Sequence, residues 1–183
     1  MKHTHVSWND MQGHVQEILR QIQQSSWHPD YVVGLTRGGL TPAVMISQYL
    51  ECPMNALHVS LRDGANESES NLWMAEDAYG HPDSETTSNV RKNILIVDDI
   101  NDSGATLNWI KEDWPSSCYP WDPIWDQGIW GHNVRVAVLF DNESSDCKVP
   151  ISYSAVSINK AADPQWVVFP WEAWWKNNPA LAR

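Results

Sequence analysis

The run Ile94-Leu95-Ile96-Val97-Asp98-Asp99-Ile100-Asn101-Asp102-Ser103-Gly104-Ala105-Thr106-Leu107 holds the densest chemistry in the chain. Its apolar, β-branched start reads as a buried strand. That strand delivers the adjacent carboxylates of Asp98 and Asp99 to its carboxyl end. Asp102 follows, and Ser103-Gly104-Ala105-Thr106 makes a small-residue loop opening onto a helix. Such a loop aims backbone N–H groups and the hydroxyls of Ser103 and Thr106 at one point, which is an anion site. Paired carboxylates beside it would repel a bare anion. They suit a ligand that also brings hydroxyls to donate, or a divalent cation to share. A sugar phosphate complexed with magnesium meets both demands.

A second loop has the same character. Gly34-Leu35-Thr36-Arg37-Gly38-Gly39-Leu40 lies between an apolar strand and a helix. Two glycines admit a ligand close to the backbone, and Arg37 is one of few cations in a very acidic chain, which makes it a phosphate clamp. Other readings exist for the first motif. Ile-Leu-Ile-Val-Asp-Asp also opens receiver domains, but there the strand lies near the domain start and no Ser-Gly-Ala-Thr follows. An acidic turn on a core strand is the plainest alternative.

The elements that must position these loops alternate between strand and helix. Met11, Val15, Ile18, Leu19 and Ile22 recur at helical spacing, and Ser7 with Asp10 forms a capping box, so a helix is expected over 8–24. Residues 31–35 read as a strand. Thr41 is expected to cap the next helix, with Pro42 at its first position, running to 51. Residues 55–61 read as a second strand, 93–97 as the clearest one, 107–112 as the start of a helix, and 134–140 and 153–158 as strands. This order implies an α/β fold with a central, mostly parallel sheet flanked by helices and ligands at the strands' carboxyl ends. The polar, turn-rich segment 62–89 reads as a flexible lid loop or a loop without a role. A tryptophan- and proline-rich insert spans 113–133, for which a structural or interface role is favoured. An irregular hood or tail spans 159–183, and His3 and His5 fall at an end expected to fray.

Bulk properties narrow the partners. The 183 residues, 42% of them apolar, suffice for one cored domain spanning 1–183. No stretch approaches the roughly 20 apolar residues of a membrane span, and the start lacks a secretory signal, so no membrane partner and a cytoplasmic location are expected. Cys52, Cys118 and Cys147 are odd in number and widely spaced, fitting neither a disulfide framework nor a metal site. A net charge of −11 argues against nucleic acid, so any phosphate must be held locally, by amides, one or two cations, or a metal ion. Most of the twelve tryptophans are expected to pack in the core or at an interface.

The two loops, in this order and separation, resemble the type I phosphoribosyltransferases, whose fingerprint is an apolar strand, two acidic residues and a short loop ending in Thr/Ser-Gly-x-Thr. The layout from Val6 to about Glu172 is most similar to the bacterial xanthine–guanine (6-oxopurine) branch, through Val6-Ser7-Trp8, the Arg-Gly-Gly-Leu loop and Trp166-Val167-Val168-Phe169-Pro170-Trp171-Glu172. The resemblance implies the type I phosphoribosyltransferase fold with a small C-terminal hood. It implies transfer of phosphoribosyl from phosphoribosyl pyrophosphate to a nucleobase, a purine first, with Mg²⁺ as cofactor and a homo-oligomeric state. By the same resemblance, Asp102 handles the proton at N7 of the base. Asp98 and Asp99 meet the ribose hydroxyls and the metal shell, Asp99 foremost and Asp98 through water. Ser103, Gly104, Ala105 and Thr106 hold the 5′-phosphate. Thr36, Arg37, Gly38 and Gly39 hold pyrophosphate, with a non-proline cis peptide falling at Thr36-Arg37. Trp166 stacks on the base and Val167 offers backbone atoms to its edge. Purine members carry a lysine after the strand that ends here in Phe140, whereas this chain has Asp141-Asn142. Asn142 is therefore expected to touch the base, with Lys148 or Lys160 as possible substitutes for the lysine. The altered position also keeps open a non-catalytic binding protein that senses nucleotide or phosphoribosyl pyrophosphate, and a nucleotide hydrolase is a third reading.

Overall fold

A computed structural model of the chain describes residues 1–59, 72–82, 89–117, 128–172, 174–177 and 179–181. Strand β1 (Lys2–His5) precedes α1 (Trp8–Gln24), β2 (Tyr31–Leu35), α2 (Leu40–Leu50) and β3 (Met54–Leu57). Next come α3 (Leu72–Tyr79), the two-residue strands β4 (His81–Pro82) and β5 (Asn89–Val90), and β6 (Ile94–Asn101). Helix α4 (Ala105–Ser117), β7 (Val134–Asn142), β8 (Tyr153–Ile158) and β9 (Gln165–Val168) follow, then two 3₁₀ turns, Trp174–Asn177 and Pro179–Leu181.

Five strands form the central sheet in the order β3-β2-β6-β7-β8. Every pairing in it is parallel. Side chains alternate across it, as a strand's period of two requires. Ile94 and Ile96 join α3 and α4 in one core cluster, while Leu95 and Val97 join α1 and α2 in the other. Burial on both faces explains why β6 is an unbroken apolar run rather than an alternating one. Helix α1 buries Met11, Val15, Ile18, Leu19 and Ile22, and the Ser7–Asp10 capping box is formed in both directions.

Several local expectations are corrected. Helix α2 begins at Leu40, one residue before Thr41, and its cap is Gly39 without a side-chain hydrogen bond. The Gly39 carbonyl already accepts from the Ala43 N–H at 3.0 Å, which places Thr41 and Pro42 inside the first turn. Within 62–89, Leu72–Tyr79 is a helix rather than loop, with Met74, Ala75, Ala78 and Tyr79 buried. Its buried Asp77 accepts from the Tyr31 hydroxyl at 3.1 Å and pairs with Lys92 at 3.0 Å. Of the expected lid, 62–71 and 83–88 lie outside the described residues, as do the last two residues of the strand expected over 55–61.

Helix α4 continues past 112 into the expected insert, where buried Trp114 stacks on Trp130 with ring centroids 5.6 Å apart. The middle of the insert, 118–127, lies outside the described residues. The expected irregular tail contains β9, which pairs in parallel with β1, setting Trp166 beside His3. The amino end is thus a strand, not a frayed terminus.

Candidate active site

Strand β6 projects beyond Val97 to Asn101, so Asp98 and Asp99 sit on strand backbone rather than in a loop. Both are half-buried, and the Asp98 carboxylate accepts from the Asp99 N–H at 3.0 Å. The chain then bends through 102–104 and enters α4 at Ala105. Gly104 makes that bend. Its φ is +84°, a region L side chains rarely adopt, and a Cβ there would collide with the backbone of Cys147. Ser103 and Ala105 are exposed and Thr106 is half-buried, so the loop and the helix N-terminus face outward. The first N–H groups of a helix have no intrahelical acceptor; here the Ala105 N–H donates to the Ser103 hydroxyl at 3.3 Å, a long bond that an anion at the helix N-terminus can replace.

The loop is braced from below. Asp146 N–H donates to the Ser103 carbonyl at 3.2 Å, and the Asn108 side chain holds both the Asp146 carbonyl (2.8 Å) and the Lys148 N–H (2.7 Å). Cys147 sits in this brace, and burial pushes its thiol up from its ordinary range. Lys148 is exposed and belongs to this support, not to the base side.

The glycine loop after β2 lies directly against these carboxylates. The Thr36–Arg37 peptide is cis, as the resemblance implied. A Cβ on Gly38 would fall on the Asp99 carboxylate, and one on Gly39 would strike the Val97 carbonyl oxygen. Only glycine at both places lets the loop touch β6. Arg37 is exposed on this loop. The Thr36 hydroxyl is 2.8 Å from Nδ1 of His58, a residue that sequence reasoning passed over because nothing local marks it. Parallel pairing of β3 with β2 brings it there.

An open hollow lies beside Asp102. It is lined by Asp99, Ile100 and Asp102 on one side and by Lys160, Trp166, Val167, Phe169 and Glu172 on the other. Trp166 is 39% exposed and available for stacking, while Val167 and Phe169 are buried. The Lys160 ammonium lies 2.8 Å from the Asp102 carboxylate and 5.6 Å from the Trp166 ring centroid.

Asn142 does not line this hollow. It is buried, its amide donates to the Asp102 carbonyl at 2.8 Å, and its side-chain oxygen accepts from Ser144 and from the Lys160 N–H. The expected contact with the base is corrected to an internal one, because every polar atom of this side chain is already engaged. The remaining expected residues gather at the carboxyl ends of β2 and β6 and in the hood.

A profile described as "Phosphoribosyl transferase domain" matches residues 7–177. The chain belongs to the phosphoribosyl transferase family. Xanthine-guanine phosphoribosyltransferase of Cereibacter sphaeroides is 26% identical, the match covering 92% of this chain and 86% of the relative. Xanthine phosphoribosyltransferase 1 of Saccharomyces cerevisiae is 20% identical, over 92% and 89% respectively. The solved xanthine-guanine-hypoxanthine phosphoribosyltransferase of Helicobacter pylori superposes with a TM-score of 0.62 at 22% identity, covering 97% of this chain and 99% of that one. At that identity the superposition speaks to the fold. In this phosphoribosyltransferase, as in the family motif, the acidic pair, the small-residue loop and the cis glycine loop converge on one face. Among the described residues no helix is long and apolar enough to cross a membrane.

Proposed function

We infer that this chain catalyses magnesium-dependent transfer of the phosphoribosyl group from phosphoribosyl pyrophosphate to a purine, giving a nucleoside monophosphate and pyrophosphate in nucleotide salvage. One observation carries the reading. The hollow that holds the Asp102 carboxylate and the exposed Trp166 ring is also lined by Asp99, against which Gly38 of the cis glycine loop packs, and Asp102 leads directly into Ser103-Gly104-Ala105-Thr106.

Each residue takes a role its chemistry permits. Ser103 and Thr106 hydroxyls, with the backbone N–H groups of 103–106, hold the 5′-phosphate. Asp98 and Asp99 accept from the ribose hydroxyls. The N–H groups and side chains of Thr36, Arg37, Gly38 and Gly39 hold the departing pyrophosphate. The base stacks on Trp166, worth on the order of 1–3 kcal/mol by analogy with base–aromatic stacking elsewhere. Its edge meets the Val167 backbone. The bond from C1 of ribose to the pyrophosphate oxygen breaks, and one from C1 to a ring nitrogen of the base forms. Asp102 takes the proton the base gives up at N7.

The donor set suits magnesium. Asp98 and Asp99 supply hard oxygen ligands, yet no group of three or more His, Cys, Asp or Glu among the described residues could cage a metal. An ion shared between substrate phosphates and one or two carboxylates needs no cage. When bound it neutralises charge developing on the leaving group. Asp99 would hold it, and Asp98 through water.

The sensor reading drew its motive from Asn142. With that side chain used inside and an ammonium present from Lys160, the motive falls away. The relatives' names add 6-oxopurines as the first bases to try. The test is pyrophosphate release from phosphoribosyl pyrophosphate, magnesium and a panel of bases, with Asp102→Asn alongside. The substitution is expected to lower kcat roughly 10²- to 10⁴-fold, the span of general acid–base contributions, with little change in sugar binding. Equal loss of turnover and of sugar binding would remove the proton-transfer role, and no release with any base would remove the reading.

A further inference from the structure

We propose that Lys160 reads the 6-substituent of the base, and that Asn142 is the positioning residue that sets it there. The proposal rests on the transfer reading above and adds what that reading leaves open: which group of this chain discriminates between purines.

The geometry of a purine connects the observations. N7 and the 6-substituent lie next to each other on one edge of the ring system. A base stacked on Trp166 with N7 at Asp102 therefore sets its 6-substituent beside whatever stands next to that carboxylate. What stands there is the Lys160 ammonium, 2.8 Å from Asp102 Oδ1 and 5.6 Å from the Trp166 centroid. Its side chain is only 17% exposed, so it is held in the hollow rather than waving in solvent. An ammonium has three donors and no acceptor. It satisfies a 6-oxo group, and it opposes the N–H donors of a 6-amino group. A site that must leave a buried donor unpaired rejects the wrong ligand strongly.

The lysine arrives from the turn after β8, not from the end of β7. Asn142 makes that possible. Its side-chain oxygen accepts from the Lys160 N–H at 3.0 Å, while its amide donates to the Asp102 carbonyl at 2.8 Å. One buried side chain thus ties together the two backbone positions whose side chains form the ion pair. The Ala161 N–H, bonded to the Ser144 hydroxyl at 3.2 Å, tightens the same turn.

The experiment measures kcat and KM on the full chain with magnesium and phosphoribosyl pyrophosphate. The bases are hypoxanthine, adenine and unsubstituted purine, and the proteins are wild type, Lys160→Met and Lys160→Gln. Calorimetry with phosphoribosyl pyrophosphate reports whether each variant keeps its sugar site. Wild type should prefer hypoxanthine to adenine. Lys160→Met should cut kcat/KM for hypoxanthine roughly tenfold to a hundredfold, the worth of one hydrogen bond to a charged group. It should lower activity on unsubstituted purine by a much smaller factor, through the lost ion pair with Asp102, and leave sugar affinity in place. Lys160→Gln, whose amide can also accept, should restore part of the hypoxanthine activity and gain on adenine. Equal losses for hypoxanthine and unsubstituted purine would show that Lys160 acts only through Asp102, and would overturn the proposal. So would an unchanged hypoxanthine-to-adenine ratio in either variant. A wild type that binds the sugar yet transfers it to no base would instead overturn the transfer reading itself.

Discussion

Buried at the end of β7, the Asn142 side chain makes hydrogen bonds to Asp102, Ser144 and Lys160 and none to the hollow. Alanine there would strand the Asp102 carbonyl and the Lys160 N–H, each a group that formerly had a partner. Since an unsatisfied buried polar group costs about 1–3 kcal/mol, Asn142→Ala should lose about 2–4 kcal/mol of stability, read from urea unfolding. A loss under about 0.5 kcal/mol, the range of an ordinary surface change, would mean that water replaces the network without difficulty. The same scale shows what a sequence discloses. Ser7 and Asp10, or Asp98 to Thr106, act on near neighbours in the chain, so their types and spacing suffice to name their roles. Lys160 reaches Asp102 across 58 positions and His58 reaches Thr36 across 22. Neither pair can be read from spacing, because strand pairing and a turn, not local geometry, bring them together.

Among the elements, the β1–β9 pair was the hardest to foresee and bears most on base binding. Two four-residue strands from opposite ends of the chain give little periodicity, and their polar residues look like tails. Yet β9 carries Trp166 and Val167, and β1 is its hydrogen-bonded neighbour, from Lys2 beside Gln165 to His5 beside Val168. The Thr4 hydroxyl donates to the Gln165 side chain at 2.7 Å, and Lys2 pairs with Asp163 at 3.0 Å, although an ion pair this exposed contributes little. Helix α3 escaped for a related reason: its buried face is short and its flanks are polar. By contrast β6, with four fully buried apolar residues before the first aspartate, was legible at once. A chain starting at Val6 behind an initiator methionine keeps the Ser7–Asp10 cap but loses β1. It should raise KM for the base at least roughly tenfold, the effect of about 1.4 kcal/mol lost from stacking geometry. Affinity for phosphoribosyl pyrophosphate should hold, since both phosphate loops belong to the central sheet. Steady-state kinetics against base, with calorimetry for the sugar, separate the two. A matching KM in the shortened chain would mean that β9 keeps its place without β1.

For the molecule as a whole, charge sets the terms on which a polyanion can bind. Acidic residues outnumber Lys and Arg by 23 to 12, for a net −11. At the site, Asp98, Asp99 and Asp102 stand within a few residues of the loops proposed to hold phosphate, and Glu172 lines the hollow. Lys160 is already paired with Asp102, so its charge is largely spoken for. Among the described residues, Arg37 and backbone amides do not balance both a pyrophosphate and neighbouring carboxylates. A divalent cation between them does, because each carboxylate then attracts what it would otherwise repel. At an effective dielectric constant near 20, one unit-charge contact at 4 Å is worth about 4 kcal/mol. Removing magnesium with a chelator should therefore weaken phosphoribosyl pyrophosphate binding by at least about 100-fold, or some 2.7 kcal/mol. Added magnesium should restore it, whereas potassium chloride at equal ionic strength should not. Ribose 5-phosphate provides the contrast. In the proposed roles it uses the amides and hydroxyls of 103–106 and carries no pyrophosphate, so chelation should change its affinity by no more than about twofold, a few tenths of a kcal/mol. Titration calorimetry of both ligands, with and without chelator, decides the matter: parallel losses would place the metal at the 5′-phosphate, and no loss for either would leave the acidic pair to the ribose hydroxyls alone.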